Sequence, residues 1–163
     1  MKYLDLSKKA LQIFKESIDK YHLIDSVDQK FNNPYPNGGI SNLLYSKNWI
    51  DTVQWHLEDL IRDPLINSEK GMAIKRKIDL SNQKRTDIVE YIDDYFLNEF
   101  KKIKIKKNAT NNSETLAWAI DRLSILVLKI YHMNEEVERH GTSFEHKKKC
   151  KIKLEILNFQ KQD

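Results

Sequence analysis

Apolar residues recur three or four positions apart along most of this chain, which is the spacing of one face of an α-helix. The longest such pattern covers residues 67–103, far more than the length of an ordinary strand. The 163 residues include only four glycines and three prolines, whereas a sandwich or barrel of strands needs many tight turns. The pattern therefore predicts an all-α protein and excludes an all-β one.

The same periodicity and the helix breakers set the order of the elements. We predict helices over residues 5–23, 46–63, 67–103, 114–138 and 145–160. Two prolines and a glycine pair make residues 24–45 one long N-terminal loop. Pro64 ends the second helix, because proline disfavours helical geometry in the residue before it. No internal repeat divides the chain, so we predict a single domain over residues 1–163, a bundle of four to five helices with long central helices.

The positive charge of the chain is concentrated in two lysine tracts. Residues 101–107 and 147–153 each contain five lysines and no acidic residue. Without those ten lysines, the basic residues number 18 against 24 acidic ones, so the remainder is acidic. Such tracts bind phosphate backbones, but they also suit helix ends. Because no aromatic residues alternate with the lysines, we favour solvated helix ends and rank nucleic-acid binding last.

The sequence also predicts where the protein resides. A single cysteine excludes a disulfide scaffold, and no run of about 18 apolar residues is present that could span a membrane. The start of the chain, from Met1 to Asp5, lacks the apolar core of a signal peptide. We therefore expect a cytoplasmic protein without a membrane partner.

Polar side chains interrupt the fourth helix, which is otherwise apolar on nearly every side between Leu116 and Met133. The interrupting residues are Asp121, Arg122, Ser124, Lys129 and His132. A buried charge without a partner costs several kcal/mol, so these groups must be paired or must face a cavity. Two interpretations stay open: an ion-pair network that holds the bundle together, and a polar cleft lined by these side chains.

The second and third helices carry further polar sets. On the second helix, two neighbouring lines of residues are Thr52, His56, Asp59 and Asp63, and Asp51, Trp55, Glu58 and Arg62. On the third helix the polar residues are Lys75, Asp79 and Asn82 on one line, Ser81 and Arg85 within the apolar face, and Asp87, Glu90, Asp93 and Asp94 elsewhere. Three of the five arginines fall in these sets of the second, third and fourth helices. A guanidinium group suits an enclosed carboxylate or phosphate.

These stretches resemble a known family. The run from Trp49 to Pro64, of the form W-x(4)-Q-W-H-L-E-D-x-I-R-D-P, and the stretches 75–90 and 118–133 are similar to an all-helical bacterial family of unknown function, found largely in Bacteroidetes-type genomes. The likeness covers most of residues 40–157. It implies a cytoplasmic helical protein and carries no activity to transfer. Family members usually continue into another C-terminal helical segment, whereas this sequence stops at Asp163, so the resemblance does not establish a site that uses that segment.

A looser similarity relates the chain to the all-α nucleotide pyrophosphatases, which bind magnesium through acidic pairs on two helices. Glu90 and Asp93 reproduce one such pair, and Glu58, Asp59 and Asp63 match the other in part. This similarity is an analogy at the level of fold and spacing.

The first functional hypothesis is a hydrolase of a phosphorylated small molecule or nucleotide that depends on Mg²⁺ or Mn²⁺. Its predicted metal ligands are Glu58, Asp59, Asp63, Asp87 and Glu90. Its predicted catalytic residues are His56, His132, Arg85, Arg122 and Lys129. Trp55, Lys75 and Asn82 are predicted to bind substrate, and Asp121, Ser124 and Asp79 to form a structural network.

The second hypothesis is a non-enzymatic helical interaction module or homo-oligomer. In that case the same charged residues form an internal ion-pair network. The substitution Arg85→Ala separates the two hypotheses. It would abolish turnover without unfolding an enzyme, and it would unfold a protein held together by the network.

Overall fold

The computed structural model describes residues 5–162, which form five helices and no strand. The helices are α1 (Leu6–His22), α2 (Ile40–Ile61), α3 (Ser68–Phe100), α4 (Leu116–Glu138) and α5 (Phe144–Gln160). The prediction of an all-α fold is therefore confirmed. The expectation that the chain has no signal peptide concerned residues 1–5, and the first four of these lie outside the described part of the chain.

The largest difference from the predicted boundaries lies at the start of α2. This helix begins at Ile40 and not near Ser46, so the connection after α1 is shorter than predicted. Gly39 has extended backbone dihedrals at the N-cap position. From there Ile40, Leu44 and Tyr45 continue a helical face into the core, where all three are buried. The prolines and glycines end at Gly39, and the burial of these apolar side chains favours the extra turns.

The main core lies where α1, α2, the second half of α3 and the start of α4 meet. Its buried residues include Phe14, Tyr21, Leu44, Tyr45, Trp49, Val89, Ile92, Phe96, Ala117 and Ile120. A smaller cluster joins Leu57 of α2 to Ile74 and Ile78 of α3. The first half of α2 therefore lies beside the second half of α3, and the end of α2 lies beside the start of α3.

The last helix is attached differently from the others. α4 packs closely against all four other helices, whereas α5 packs closely only against α4. Cys150 is buried and Leu154 and Leu157 are half-buried against α4. Because α5 does not pack against α1 or α2, an open space remains between them.

The two lysine tracts occupy different positions. Residues 101–107 follow the C-terminal end of α3 and are fully exposed, in agreement with a solvated helix end. Residues 147–153 lie in the first half of α5, so the favourable interaction with a helix C-terminus does not apply there. Among residues 5–162, no helix has both the length and the apolar character needed to cross a membrane.

Candidate functional site

A network of buried charges connects α2, α3 and α4. The Lys47 side chain is fully buried, and its ammonium group contacts the carboxylate of Asp51 and, at 2.8 Å, Oδ1 of Asp121. Arg85 Nε donates to Asp51 Oδ1 at 2.8 Å, and a terminal nitrogen of Arg85 lies 3.8 Å from Asp121 Oδ1. Two cations thus face two carboxylates, and the group as a whole is neutral.

Neutral polar groups complete the network. The Ser124 hydroxyl donates to Asp51 Oδ2 at 2.6 Å, and Asn48 Nδ2 donates to Ser124 Oγ at 3.1 Å. The Thr52 hydroxyl donates to the Asn48 carbonyl at 2.9 Å. Both oxygens of Asp51 therefore have partners, as a buried carboxylate requires.

The two interpretations of the polar residues on α4 each apply to part of the helix. Asp121 and Ser124 belong to the buried network, whereas Lys129 and His132 line a cleft described below. Arg122 does neither, because it is exposed and pairs with Glu114 near the start of α4.

Lys47 is a member of the buried network that the sequence did not predict. Lysine is the common cation of this chain, so a single lysine gave no compositional signal. The available signal was its position four residues before Asp51, on the face of α2 that becomes buried. Asp79, which was assigned to the network, instead pairs with Lys75 on the exposed surface of α3.

We predict that Lys47→Met destabilises the protein by about 3–5 kcal/mol. The substitution leaves Asp51 and Asp121 with only Arg85 as a cation, so one buried negative charge is uncompensated. The double variant Lys47→Met/Asp121→Asn restores neutrality and should recover much of the loss. Urea unfolding followed by circular dichroism measures both.

The matched control for this test is Lys84→Met, at an exposed position of α3. It should change the free energy of unfolding by only a few tenths of a kcal/mol. If Lys47→Met is no more destabilising than Lys84→Met, the network does not hold α2, α3 and α4 together.

A cleft of about 1070 Å³ opens where α5 stands away from α1 and α2. Its polar and aromatic lining residues include His22, Asp25, Thr52, Trp55, His56, Asp59, Asp63, Lys129, His132, Glu135, Arg139 and Lys153. Four residues predicted to bind or process a substrate, His56, His132, Lys129 and Trp55, are thereby brought together on α2 and α4.

His132 has the most unusual surroundings in the cleft. Its ring stacks on Trp55, with 4.8 Å between ring centroids and 9° between planes. Nδ1 lies 2.8 Å from a carboxylate oxygen of Glu135, so the neutral ring carries its proton there. Nε2 is buried and has no hydrogen-bond partner. Burial lowers the pKa of His132 below its ordinary value of 6.5, and the Glu135 hydrogen bond opposes that shift.

A second group of polar residues lies at the α1 side of the cleft. His56 Nδ1 is 2.9 Å from the Tyr21 hydroxyl and 3.6 Å from Asp25 Oδ1. Burial raises the pKa of Tyr21, so its hydroxyl keeps its proton and donates to His56. Asp25 has a φ of 52°, in the left-handed region, and its carboxylate also lies 3.9 Å from His22 Nε2.

Sequence reasoning did not select His22 and Asp25. His22 occupies the last turn of α1, where a basic residue is common because it interacts favourably with the helix dipole. Asp25 lies in the connection after α1, and no periodic pattern indicates which way such a side chain points.

The carboxylates predicted as metal ligands are not assembled into one site. Asp59 and Asp63 line the large cleft, Glu58 lines a smaller pocket, and Asp87 and Glu90 line neither. The antiparallel register explains this, because Asp87 and Glu90 lie beside the first half of α2. Over residues 5–162, no three His, Cys, Asp or Glu side chains are grouped so that they could hold a metal ion.

Several of these acidic side chains have partners close in sequence. Arg62 donates to Asp59 at 3.0 Å, and Gln54 donates to Glu58 at 3.1 Å. Asp63 lies beyond the end of α2, where it accepts from the backbone N–H of Leu65 at 2.9 Å. The helical spacing assumed for Asp63 is therefore wrong.

The smaller pocket has a volume of about 240 Å³ and shares Trp55 with the large cleft. Arg85 and Asn82 line it, together with Gln54 and Glu58. Of the remaining predicted substrate-binding residues, Lys75 lies on the exposed surface of α3 and lines neither pocket.

Residues 41–163 match the family described as a protein of unknown function (DUF4254). The chain belongs to this family. The DUF4254 match contains Lys47, Asp51, Arg85 and Asp121 of the buried network, whereas α1 and the connection after it lie outside the match. The chain has no significant match among curated proteins or solved structures.

We predict that His132 makes stability fall as the pH drops below 6.5. Above that value, both folded and unfolded chains hold the ring neutral. Below it, His132 takes up a proton in the unfolded chain more readily than in the folded chain, where its pKa is lowered. Proton binding therefore stabilises the unfolded state relative to the folded state, and the free energy of unfolding falls. Urea unfolding between about pH 5 and 7.5 measures the effect.

His132→Asn should remove this part of the pH dependence, so that its curve is flatter than that of the wild type near pH 6. His140→Asn, at an exposed position beyond α4, should leave the curve unchanged. Parallel curves for wild type and His132→Asn would show that His132 titrates equally in both states.

Proposed function

We propose that the protein binds a phosphorylated small molecule with an aromatic ring, such as a nucleotide, in the large cleft and hydrolyses it. The observation that carries the proposal is the environment of His132. Its Nε2 is the one buried side-chain atom without a hydrogen-bond partner among the described residues that line the cleft. Such an atom in a native protein calls for an explanation, and a catalytic role, a bound water and a bound ion are among the known ones.

The chemistry of His132 suits a general base. The Glu135 carboxylate holds the proton on Nδ1, which leaves the Nε2 lone pair free to accept another. The lowered pKa keeps the ring neutral near pH 7. In the proposed step, Nε2 takes a proton from water as the water oxygen bonds to phosphorus and the bond to the leaving group breaks. Glu135 then stabilises the imidazolium ion.

The rest of the cleft matches the other parts of such a ligand. Lys129, Lys153 and Arg139 supply positive charge for a phosphate group. Trp55 also lines the cleft, where a base can contact the part of the indole ring that His132 does not cover. The volume of about 1070 Å³ is ample for a nucleotide.

Any divalent metal would join this site together with the substrate. Two of the five predicted metal ligands, Asp59 and Asp63, line the cleft. Mg²⁺ commonly binds through one or two carboxylates, with water and substrate phosphates completing its coordination. If Mg²⁺ or Mn²⁺ binds together with the substrate, Asp59 and Asp63 would hold it, and the ion would neutralise charge on the phosphate groups. Glu90 and Asp93, which resemble a pyrophosphatase pair, line neither pocket, so this proposal rests on His132 and not on that analogy.

The test is phosphate release from a panel of nucleoside di- and triphosphates with Mg²⁺ or Mn²⁺. His132→Gln should lower kcat by about 100-fold or more, because it removes the general base. His140→Gln is the matched control and should be as active as the wild type. A nucleotide with metal should raise Tm more than metal alone.

Absence of turnover over the whole panel, or full activity of His132→Gln, would contradict the proposal. A rise in Tm without turnover would retain binding and reject hydrolysis.

A second candidate function is that of an interaction module that forms a homo-oligomer. It is favoured by three large apolar side chains of α5 that are exposed and do not line the cleft: Phe144, Ile152 and Phe159. Exposed apolar surface of this kind often marks a protein interface.

We predict that, if this surface joins two copies, Ile152→Lys/Phe159→Lys sediments as a monomer at concentrations where the wild type does not. Sedimentation velocity over a concentration series measures this difference. A wild type that is monomeric throughout the series would exclude the second candidate.

A further inference from the structure

The smaller pocket contains a buried hydrogen-bond acceptor without a donor. Gln54 is only 7% exposed, and its Nε2 donates to Glu58 at 3.1 Å. Its Oε1 is buried and has no partner. The amide cannot be turned round, because Oε1 would then face the Glu58 carboxylate. A ligand that satisfies Gln54 must therefore donate a hydrogen bond.

The opposite requirement comes from Arg85. Its Nε is bonded to Asp51, but a guanidinium group has five N–H donors in all. The side chain is 27% exposed and lines the pocket, so part of the guanidinium faces the pocket. A planar guanidinium group matches the geometry of a carboxylate or a phosphate, with two parallel hydrogen bonds.

We propose that this pocket binds a free α-amino acid with an apolar side chain. The ligand carboxylate pairs with Arg85, and its ammonium group donates to Gln54 Oε1 and Glu58. The apolar side chain packs against Trp55 and Leu128. A carboxylate without an ammonium group would leave Gln54 Oε1 without a donor, and a simple amine would offer the guanidinium group of Arg85 no acceptor beyond Asp51 and Asp121.

The size and position of the pocket agree with this ligand class. A volume of about 240 Å³ lies just below the range of pockets for drug-sized ligands, and it suits a molecule the size of an amino acid. This inference is independent of the proposed hydrolase, because neither His132 nor Glu135 lines the smaller pocket.

Isothermal titration calorimetry of the full chain with L-valine, L-leucine and L-phenylalanine tests the proposal. At least one of the three should bind. Its N-acetyl derivative, which lacks the ammonium group, and its amide, which lacks the carboxylate, should each bind about tenfold more weakly or worse. Absence of binding by all three, or equal binding of either derivative or of inorganic phosphate, would overturn it.

Variants at Gln54 and Glu58 test the same contacts from the side of the protein. Gln54→Met should fold normally, because it replaces an unpaired buried acceptor with an apolar side chain of similar size. It should weaken amino-acid binding about tenfold or more, as should Glu58→Gln. Gln12→Met, at an exposed position of α1, is the matched control and should bind like the wild type. Unchanged binding by Gln54→Met would overturn the assignment.

Discussion

The burial of the Lys47 ammonium group is the constraint on which the rest of the structure depends. An ammonium ion that loses its water must be compensated by negative charge. Asp51 of its own helix and Asp121 of α4 supply that charge, and Arg85 of α3 balances the second carboxylate. The three helices must therefore meet at the same height along their axes, and each must be rotated about its own axis so that these charged side chains face one another. Apolar packing alone would tolerate other rotations, because several faces of α4 are apolar.

This arrangement also decides where the two cavities lie. Trp55 follows Asp51 by one helical turn on α2, so the network fixes the level at which the indole ring lies. The ring then forms part of both cavities. Within the network, the Lys47 side chain is fully buried and both oxygens of Asp51 have partners. The chemistry accessible to a ligand consequently lies beside it, with His132 on one side of Trp55 and Arg85 on the other.

Much of the fold could be predicted from the sequence, but the meeting of particular side chains could not. The break in the apolar face of α3 at Ser81 and Arg85 correctly indicated enclosure, because a helical face is a local property. The partner of Arg85 and the separation of Asp87 from Asp59 depend on the register between α2 and α3, which no single helix encodes. The start of α2 was wrong because helix breakers mark the end of a loop only to within a few residues.

α5 forms one side of the large cleft and is attached to the rest of the protein only through α4. An element held by one neighbour separates at a lower free-energy cost than one held by several. Separating α5 from the rest of the protein would break only its contacts with α4 and would leave the charges shared by α2, α3 and α4 in place. A molecule that contacts both Lys153 of α5 and Trp55 of α2 would connect α5 to α2. Its affinity would therefore depend on the position of α5. A displacement of α5 alone would therefore open the cleft and leave the core intact.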